Sequence, residues 1–284
     1  HRQLRELADA GARHAVLEVS SHALDQQRVD GVRFSTVAFS NLGRDHLDYH
    51  HDLQQYGEAK ARLFRTGART AVINLDDSFG ESLPALLPDG TACLGVSMAG
   101  NPAARLRGEL VQIGADGLLL ELSGEHGVAR LESGLWGRFN AENLLLAAGI
   151  LLAEGWPLAR VAAALTDCTA PPGRMQRVPG SAGQPAVLVD FAHTAEALGK
   201  ALQAARAHCR GRLWCVFGCG GNRDSGKRAP MGRAAVETAD HVIVTDDNPR
   251  DEDSRQIIAD ILAGMDSRDT VQVIPDRAAA IQRA

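Results

Sequence analysis

Nothing in the sequence is apolar for long enough to cross a membrane. The longest apolar stretch, around Leu144 to Ala153, is interrupted by Gly149 and falls short of the roughly 20 residues a spanning helix needs. The first residues carry no signal-peptide pattern. Positive charge is not in excess either: 30 Lys and Arg stand against 35 Asp and Glu, a net charge of −5. That argues against a protein that coats nucleic acid or lies on a membrane surface, and leaves room for a local basic pocket. Cysteine is sparse. Cys93, Cys168, Cys209, Cys215 and Cys219 form no CxxC pair and no zinc spacing, and their odd number favours reduced thiols in a cytoplasmic compartment. Fixed-period repeats and low-complexity tracts are missing too.

What is there is alternation of strand and helix patterns. The 284 residues suffice for two domains of ordinary size. His14 to Val19, Phe34 to Phe39 and Thr70 to Asn74 read as buried strands, and Leu53 to Phe64 carries helical spacing. Such alternation predicts an α/β fold, a mostly parallel sheet with helices on its faces. Between Arg105 and Leu131, short alternating runs punctuated by Gly114, Gly117, Gly124 and Gly127 predict an antiparallel hairpin insert. Apolar helices follow over Asn143 to Glu154 and Leu158 to Thr166. Thr169-Ala170-Pro171-Pro172-Gly173-Arg174 is a stiff linker, and a fresh strand–helix series runs from Ala186 to Ile274. The expected division is therefore 1–171 and 172–284. Helical patterns over Arg2 to Ala10 and Arg277 to Ala284, with no starting Met, give the expectation of a piece of a longer protein, truncated at both ends.

Several groups of residues suggest chemistry. The strand pattern from His241 to Thr245 runs into Asp246, then Asp247-Asn248-Pro249-Arg250. Pro249 has no N–H and a fixed φ, so the strand must stop there. Ligands in open α/β sheets gather at the carboxyl ends of strands. An Arg on so stiff a turn can grip a carboxylate with two parallel hydrogen bonds, although most Asn-Pro turns are only turns. Glu18, Asp45, His46 and Asp48 sit at or just after strand ends. Such hard ligands suit Mg2+ better than zinc, while a solvated acidic loop with hydrogen-bonded histidines reads equally well. His46 and His50 have the spacing of a helical zinc pair, but Leu47 stands where zinc hydrolases carry their Glu base. Lys60 lies among small and apolar neighbours. Most such lysines reach out to water, yet a partly buried one loses its proton more easily, and a neutral amine can be carbamylated. Gly221 to Lys227 matches G-x-x-x-x-G-K after a strand. Arg228 takes the place of the hydroxyl residue that binds Mg2+, so a nucleotide loop is not expected there; Arg223 and Lys227 offer a carboxylate-binding edge instead. Asp190 ends another strand and could accept from a ribose hydroxyl, or could be a plain loop acid before Thr194, a helix cap.

The stretches EVSSHALDQQRV, SNLGRDHLDYH, YGEAKARLF, GRFNAENLLLA, PPGRM, DFAHTAEALGKAL, LWCVFGCGGNRDSGKR and TDDNPRDED, taken in order, resemble the Mur ligases, and within them the branch that adds the third amino acid in peptidoglycan synthesis. The resemblance implies a central ATPase-type domain with a mostly parallel sheet, and a C-terminal Rossmann-like α/β domain. It also implies roles. Ser20, Gln26 and Arg28 would contact UDP-MurNAc-L-Ala-D-Glu. Glu18 and His46 would help hold magnesium, and Lys60, as a carbamate, would bridge to a second magnesium. Asn140 and Asn143 would lie on the adenine side of ATP, Arg174 would reach the γ-phosphate, and Asp190 the ribose. Arg223, with Asp247, Asn248, Pro249 and Arg250, would hold meso-diaminopimelate. Lysine-adding relatives carry another residue in place of that last Arg, as the chemistry requires, because only diaminopimelate has a carboxylate at its far end. ATP would phosphorylate the D-glutamate carboxylate, and the amine of diaminopimelate would displace phosphate, with closure about the linker. The family's phosphate loop and N-terminal domain would precede His1, and the motif completing the amino-acid site would follow Ala284, so the segment alone is expected to be inactive. Phe191 replaces a usual Tyr, Ala195 a usual Pro, and Asn222 a common acid. The rival readings are another Mur ligase or a folylpolyglutamate synthetase, which the EVSSH block and the Asp247 to Arg250 loop oppose, and a non-catalytic relative, which would have lost Glu18, His46 or Lys60.

Overall fold

Thr70 to Asn74, apolar on both faces, becomes the buried strand β2 of a larger sheet. The structure is a computed structural model, and its described residues are 2–43, 47–181 and 183–284. In chain order the elements are α1 (Arg2–Asp9), α2 (Ser21–Asp25), β1 (Thr36–Phe39), α3 (Leu47–His50), α4 (Leu53–Phe64), β2 (Thr70–Asn74), α5 (Ser78–Ser82), β3 (Ala92–Ser97), β4 (Leu106–Gly114), β5 (Gly117–Gly124), β6 (Gly127–Ser133), α6 (Arg138–Ala153) and α7 (Leu158–Thr166). Then come β7 (Gln176–Val178), β8 (Val187–Val189), α8 (Ala195–His208), β9 (Trp214–Phe217), α9 (Arg228–Thr238), β10 (His241–Val244), α10 (Ser254–Leu262), β11 (Val271–Val273) and α11 (Arg277–Arg283). Among the described residues no helix is long and apolar enough to cross a membrane.

Six strands form one sheet in the order β1-β2-β3-β4-β5-β6. The pairs from β1 to β4 are parallel, and two-residue turns join β4, β5 and β6 as the antiparallel insert the glycines announced. Three strands, β11-β10-β9, form a parallel sheet, and β7 pairs with β8 antiparallel. The chain divides into two compact units built from interleaved stretches: 1–109, 121–130 and 142–163, and 110–120, 131–141 and 164–284.

In the first unit, Val37, Phe39, Phe64, Ile73 and Leu83 meet in the core beside β1 and β2. Gly149, which interrupts the long apolar run, lets α6 lie close on the sheet: a Cβ there would stand 2.7 Å from Val72 Cγ1. One expectation fails. His14 to Val19 is not a buried strand; it belongs to no helix or strand and has no ladder partner among the described residues, and Val16 is 96% exposed. Backbone N–H and C=O groups can be buried only when paired, so the apolar residues of this stretch stay outside.

In the second unit, Leu198, Phe217, Met231, Val242 and Ile261 belong to the core around β9, β10, α9 and α10. His208, only 2% exposed, ties the hairpin insert to α8. Its Nδ1 lies 2.6 Å from the Gly114 carbonyl and its Nε2 accepts the Gly137 N–H at 2.9 Å, while its ring stacks on Trp136 at 4.6 Å. This pairing fixes a neutral imidazole with the proton on Nδ1, and burial pushes its pKa down. Above the unfolded value, near pH 6.5, both states are neutral and the contribution to stability is complete. As pH falls below it the unfolded chain takes up a proton first, and stability is lost until the depressed folded value is passed. We therefore expect the melting temperature to drop between pH 7.5 and pH 5.5, and a His208→Asn variant, less stable throughout, to lack that part of the drop.

Candidate active site

β9 and β10 are neighbouring parallel strands, with Val216 opposite Ile243. The loops leaving their carboxyl ends therefore emerge side by side. The glycines of the first loop serve the second. A Cβ at Gly218 would overlap the Thr245 carbonyl oxygen, and one at Gly221 the Pro249 carbonyl oxygen. The Gly221 N–H donates to the Asn248 carbonyl at 2.8 Å, Arg250 Nη1 donates back to the Gly221 carbonyl, and the Asp251 N–H donates to Asn222 Oδ1 at 3.0 Å. The Asn222 N–H donates to the Glu252 carboxylate, and the Gly226 N–H to Asp224 Oδ1 at 2.8 Å. A phosphate-cradling loop keeps such N–H groups for its ligand. Here they are spent within the protein, in keeping with the missing hydroxyl at Arg228.

Arg250 sits at φ 51 and Asn222 at φ 50, the left-handed region that non-glycine residues seldom occupy. The bond to Gly221 uses one of the five donors of the Arg250 guanidinium, so a bidentate face remains for a carboxylate. Arg223, Lys227, Asp247, Asn248 and Arg250 line one cavity of about 710 Å3, together with Asp190. Its apolar lining includes residues of β9, an end strand of its sheet, and Leu198 and Leu202 of α8. Pro249 lies half-buried behind the loop.

Asp190 has a structural duty that its position after β8 did not reveal. Its Oδ2 accepts the Met175 N–H at 2.8 Å and its Oδ1 the Ala192 N–H at 2.9 Å, and the Phe191 N–H donates to the Gly173 carbonyl at 2.7 Å. The Pro-Pro-Gly-Arg linker is thereby clamped to the end of β8, with Met175 held at φ 49. Each carboxylate oxygen keeps a lone pair for a further donor. Arg174 is exposed, its guanidinium 5.7 Å from the centre of the Phe191 ring. Asn140 and Asn143 follow each other on the first turns of α6; Asn140 Nδ2 donates to the Trp136 carbonyl at 2.8 Å.

In the first unit, Ser20 caps α2, its hydroxyl accepting the Ala23 N–H at 3.2 Å. Gln26 and Arg28 follow the same helix, exposed and joined: Arg28 Nη2 donates to Gln26 Oε1, and Gln26 Nε2 donates to the Tyr49 hydroxyl at 3.4 Å. Tyr49 in turn donates to Asp25 Oδ2 at 2.9 Å, and Arg62 pairs with Asp25 at 3.0 Å. The Tyr49 hydroxyl first, and Arg62 after it, hold the Asp25 carboxyl below the usual range. Tyr49, Asp25 and Arg62 were not singled out in the sequence, because their partnership spans three separate elements. Lys60 is half-buried on α4, with its Nζ 4.9 Å from the centre of the Tyr56 ring. Glu18 is exposed on the irregular stretch before α2. His50 is buried with its Nε2 2.9 Å from the Ser21 hydroxyl. Asp45, His46 and the side chain of Asp48 lie outside the described residues. Among the described residues no three His, Cys, Asp or Glu side chains converge as a metal cage.

Residues 1–151 match the model of the Mur ligase middle domain, and residues 173–284 that of the Mur ligase glutamate ligase domain. The chain belongs to the Mur ligase family. Over 284 residues, all of this chain, it is 51% identical to a UDP-N-acetylmuramoyl-L-alanyl-D-glutamate–2,6-diaminopimelate ligase of Alkalilimnicola ehrlichii, and it spans 57% of that relative's length. A solved structure of a ligase of the same name superposes with a TM-score of 0.76 at 39% identity, over 99% of this chain and 58% of the other. A folylpolyglutamate synthase of Thermotoga maritima shares the fold, with a TM-score of 0.69 at 16% identity over 88% of this chain and 55% of the other.

Proposed function

We propose that the complete protein is an ATP-dependent amide ligase of peptidoglycan synthesis, acting in the cytoplasm, which joins meso-diaminopimelate to the D-glutamate of UDP-MurNAc-L-Ala-D-Glu. The observation that carries the reading is Arg250: a guanidinium fixed by its neighbour loop, presented to a cavity that Arg223 and Asn248 also line. Relatives about half identical over the whole chain bear the name of that reaction. In this reading the far carboxylate of diaminopimelate lies on Arg250, and Asp247, Asn248 and Arg223 orient its amino-acid end. Ser20, Gln26 and Arg28 take the UDP-muramyl-dipeptide, and the Tyr49–Asp25–Arg62 chain keeps Gln26 in place. Asn140, Asn143, Arg174 and Asp190 serve ATP. Functional division near residue 172 is part of the same proposal.

The reaction balances in two steps. An oxygen of the glutamate carboxylate attacks the γ-phosphorus of ATP and ADP leaves. The neutral amine then attacks the acyl carbon, the bond to phosphate breaks, and the amine gives up a proton as the amide forms. Glu18, His46 and a carbamate on Lys60 would hold magnesium, which when bound offsets the negative charge of γ-phosphate and carboxylate. Lys60 as a free cation cannot ligate a metal, so this part of the proposal stands on the carbamate.

The test is ADP release and product mass with the complete protein, ATP and UDP-MurNAc-L-Ala-D-Glu, offering meso-diaminopimelate and L-lysine separately, with the 284-residue segment alongside. We expect product with diaminopimelate from the complete protein and none from the segment. Preference for lysine would contradict the role of Arg250, and no ligation with either amine would favour a non-catalytic relative.

A further inference from the structure

Arg228 stands where a nucleotide loop would carry its hydroxyl, and the structure gives it different work. Its side chain is only 2% exposed, and it pairs with Glu252 at 2.7 Å and with Asp260 at 2.8 Å. Its Nε is buried without a partner among the described residues. A buried guanidinium with an orphaned N–H, paired to carboxylates that are each 33% exposed, is a poor way to stabilise a core, because apolar residues of similar volume do as well or better. What the pair does is geometric. The Glu252 carboxylate holds Arg228, at the head of α9, with one oxygen, and with the other it accepts the Asn222 N–H. Asn222 returns the contact through its Oδ1 to the Asp251 N–H. The Glu252 N–H closes the turn on the Pro249 carbonyl at 3.0 Å. Arg250 lies inside this ring of bonds. The two left-handed non-glycine residues of these loops, Asn222 and Arg250, are members of it or flanked by it, and such conformations persist only where the surroundings over-determine them.

We propose that Arg228 and Glu252 are positioning residues for amino-acid selection, a latch that sets the spacing of Arg250 and Arg223 across the two loops. This rests on the reading of these loops as the diaminopimelate site. Asp260 is the internal control, since it pairs with the same guanidinium and, among the described residues, hydrogen-bonds to neither loop. Its own second partner is Gln256, at 2.8 Å.

The experiment is steady-state kinetics of the complete protein, each substrate varied in turn, for wild type, Glu252→Gln and Asp260→Asn, with melting temperatures alongside. For Glu252→Gln we expect the KM for meso-diaminopimelate to rise about 10- to 100-fold, the scale of a lost charge-assisted contact. The KM values for ATP and UDP-MurNAc-L-Ala-D-Glu should stay within about 2-fold, because neither contacts the latch in this reading. Asp260→Asn should lower the melting temperature by a similar amount and shift the diaminopimelate KM by less than about 3-fold. Should Glu252→Gln fail to fold, Asn222→Gly keeps the ion pair, removes the Oδ1 acceptor, and carries the same selective rise. Equal diaminopimelate KM values for wild type and Glu252→Gln, or equal changes of that KM in Glu252→Gln and Asp260→Asn, would overturn the latch. Failure of the wild type to ligate diaminopimelate would overturn the underlying reading instead.

Discussion

Replacing Arg250 with methionine in the complete protein is expected to lower kcat/KM for meso-diaminopimelate by about 30-fold to several thousand-fold. Arg250 is exposed in the absence of ligand, and the range corresponds to about 2–5 kcal/mol for removing one partner of a charge pair that substrate binding would bury, at about 1.4 kcal/mol per factor of ten. The far carboxylate is then left without its counter-charge. Lysine should respond in the opposite direction or not at all. Its terminal ammonium gains nothing from Arg250 and is repelled by it, so the variant loses a barrier against the wrong amine. Arg250→Lys should recover only part of the loss, because an ammonium cannot present two parallel donors while also holding the Gly221 carbonyl. Paired kcat/KM values for the two amines decide the matter. A variant that loses activity with both in proportion would show that Arg250 shapes the loop without reading the substrate.

Gly221→Ala is expected to damage the same site from the other side. The added methyl would overlap the Pro249 carbonyl oxygen, and backbone cannot swing away as a side-chain tip can. Overpacking of this kind costs about 1–3 kcal/mol, and in a chain of this size each kcal/mol lowers the melting temperature by about 2–4 °C. Because the strain falls on Pro249, diaminopimelate binding should suffer more than global stability. Gly199→Ala is the contrasting case. Gly199 lies within α8 with nothing within 4 Å of an added Cβ, so alanine should raise stability by about 0.5–1 kcal/mol. Wild-type melting and wild-type KM in Gly221→Ala would mean that the two loops do not need their close approach.

Much of this fold could be read from residue patterns because the decisive signals were local. Leu53 to Phe64 and Leu158 to Thr166 are helices over the limits their spacing predicted, and β2 ends where expected. The three glycine-punctuated runs after Arg105 became β4, β5 and β6. Short elements escaped: α2, α5 and the three-residue β7 carry too few periods to register. His14 to Val19 misled because an apolar run says nothing about whether a partner strand lies beside it.

The candidate site divides the same way. Pro249 and Arg250 after an apolar strand were legible, since a proline stop and a charge at a strand end are facts of adjacent residues. The purpose of Gly218 and Gly221 was not. Those glycines are required by carbonyls of Thr245 and Pro249, far along the chain, and a phosphate-loop pattern looks identical until that contact is seen. Glu252 gave no signal at all, because an acid in an acidic loop is unremarkable until Arg228 and Asn222 are placed on either side of it.

The most direct measurement is a crystal structure of the complete protein with meso-diaminopimelate bound. The far carboxylate should lie within about 3 Å of the Arg250 guanidinium, the reach of a charge-assisted hydrogen bond, with Arg250 still bonded to the Gly221 carbonyl and the amino-acid end against Asn248 and Arg223. Diaminopimelate seated away from these loops, or Arg250 turned out to solvent while the ligand is bound, would contradict the account.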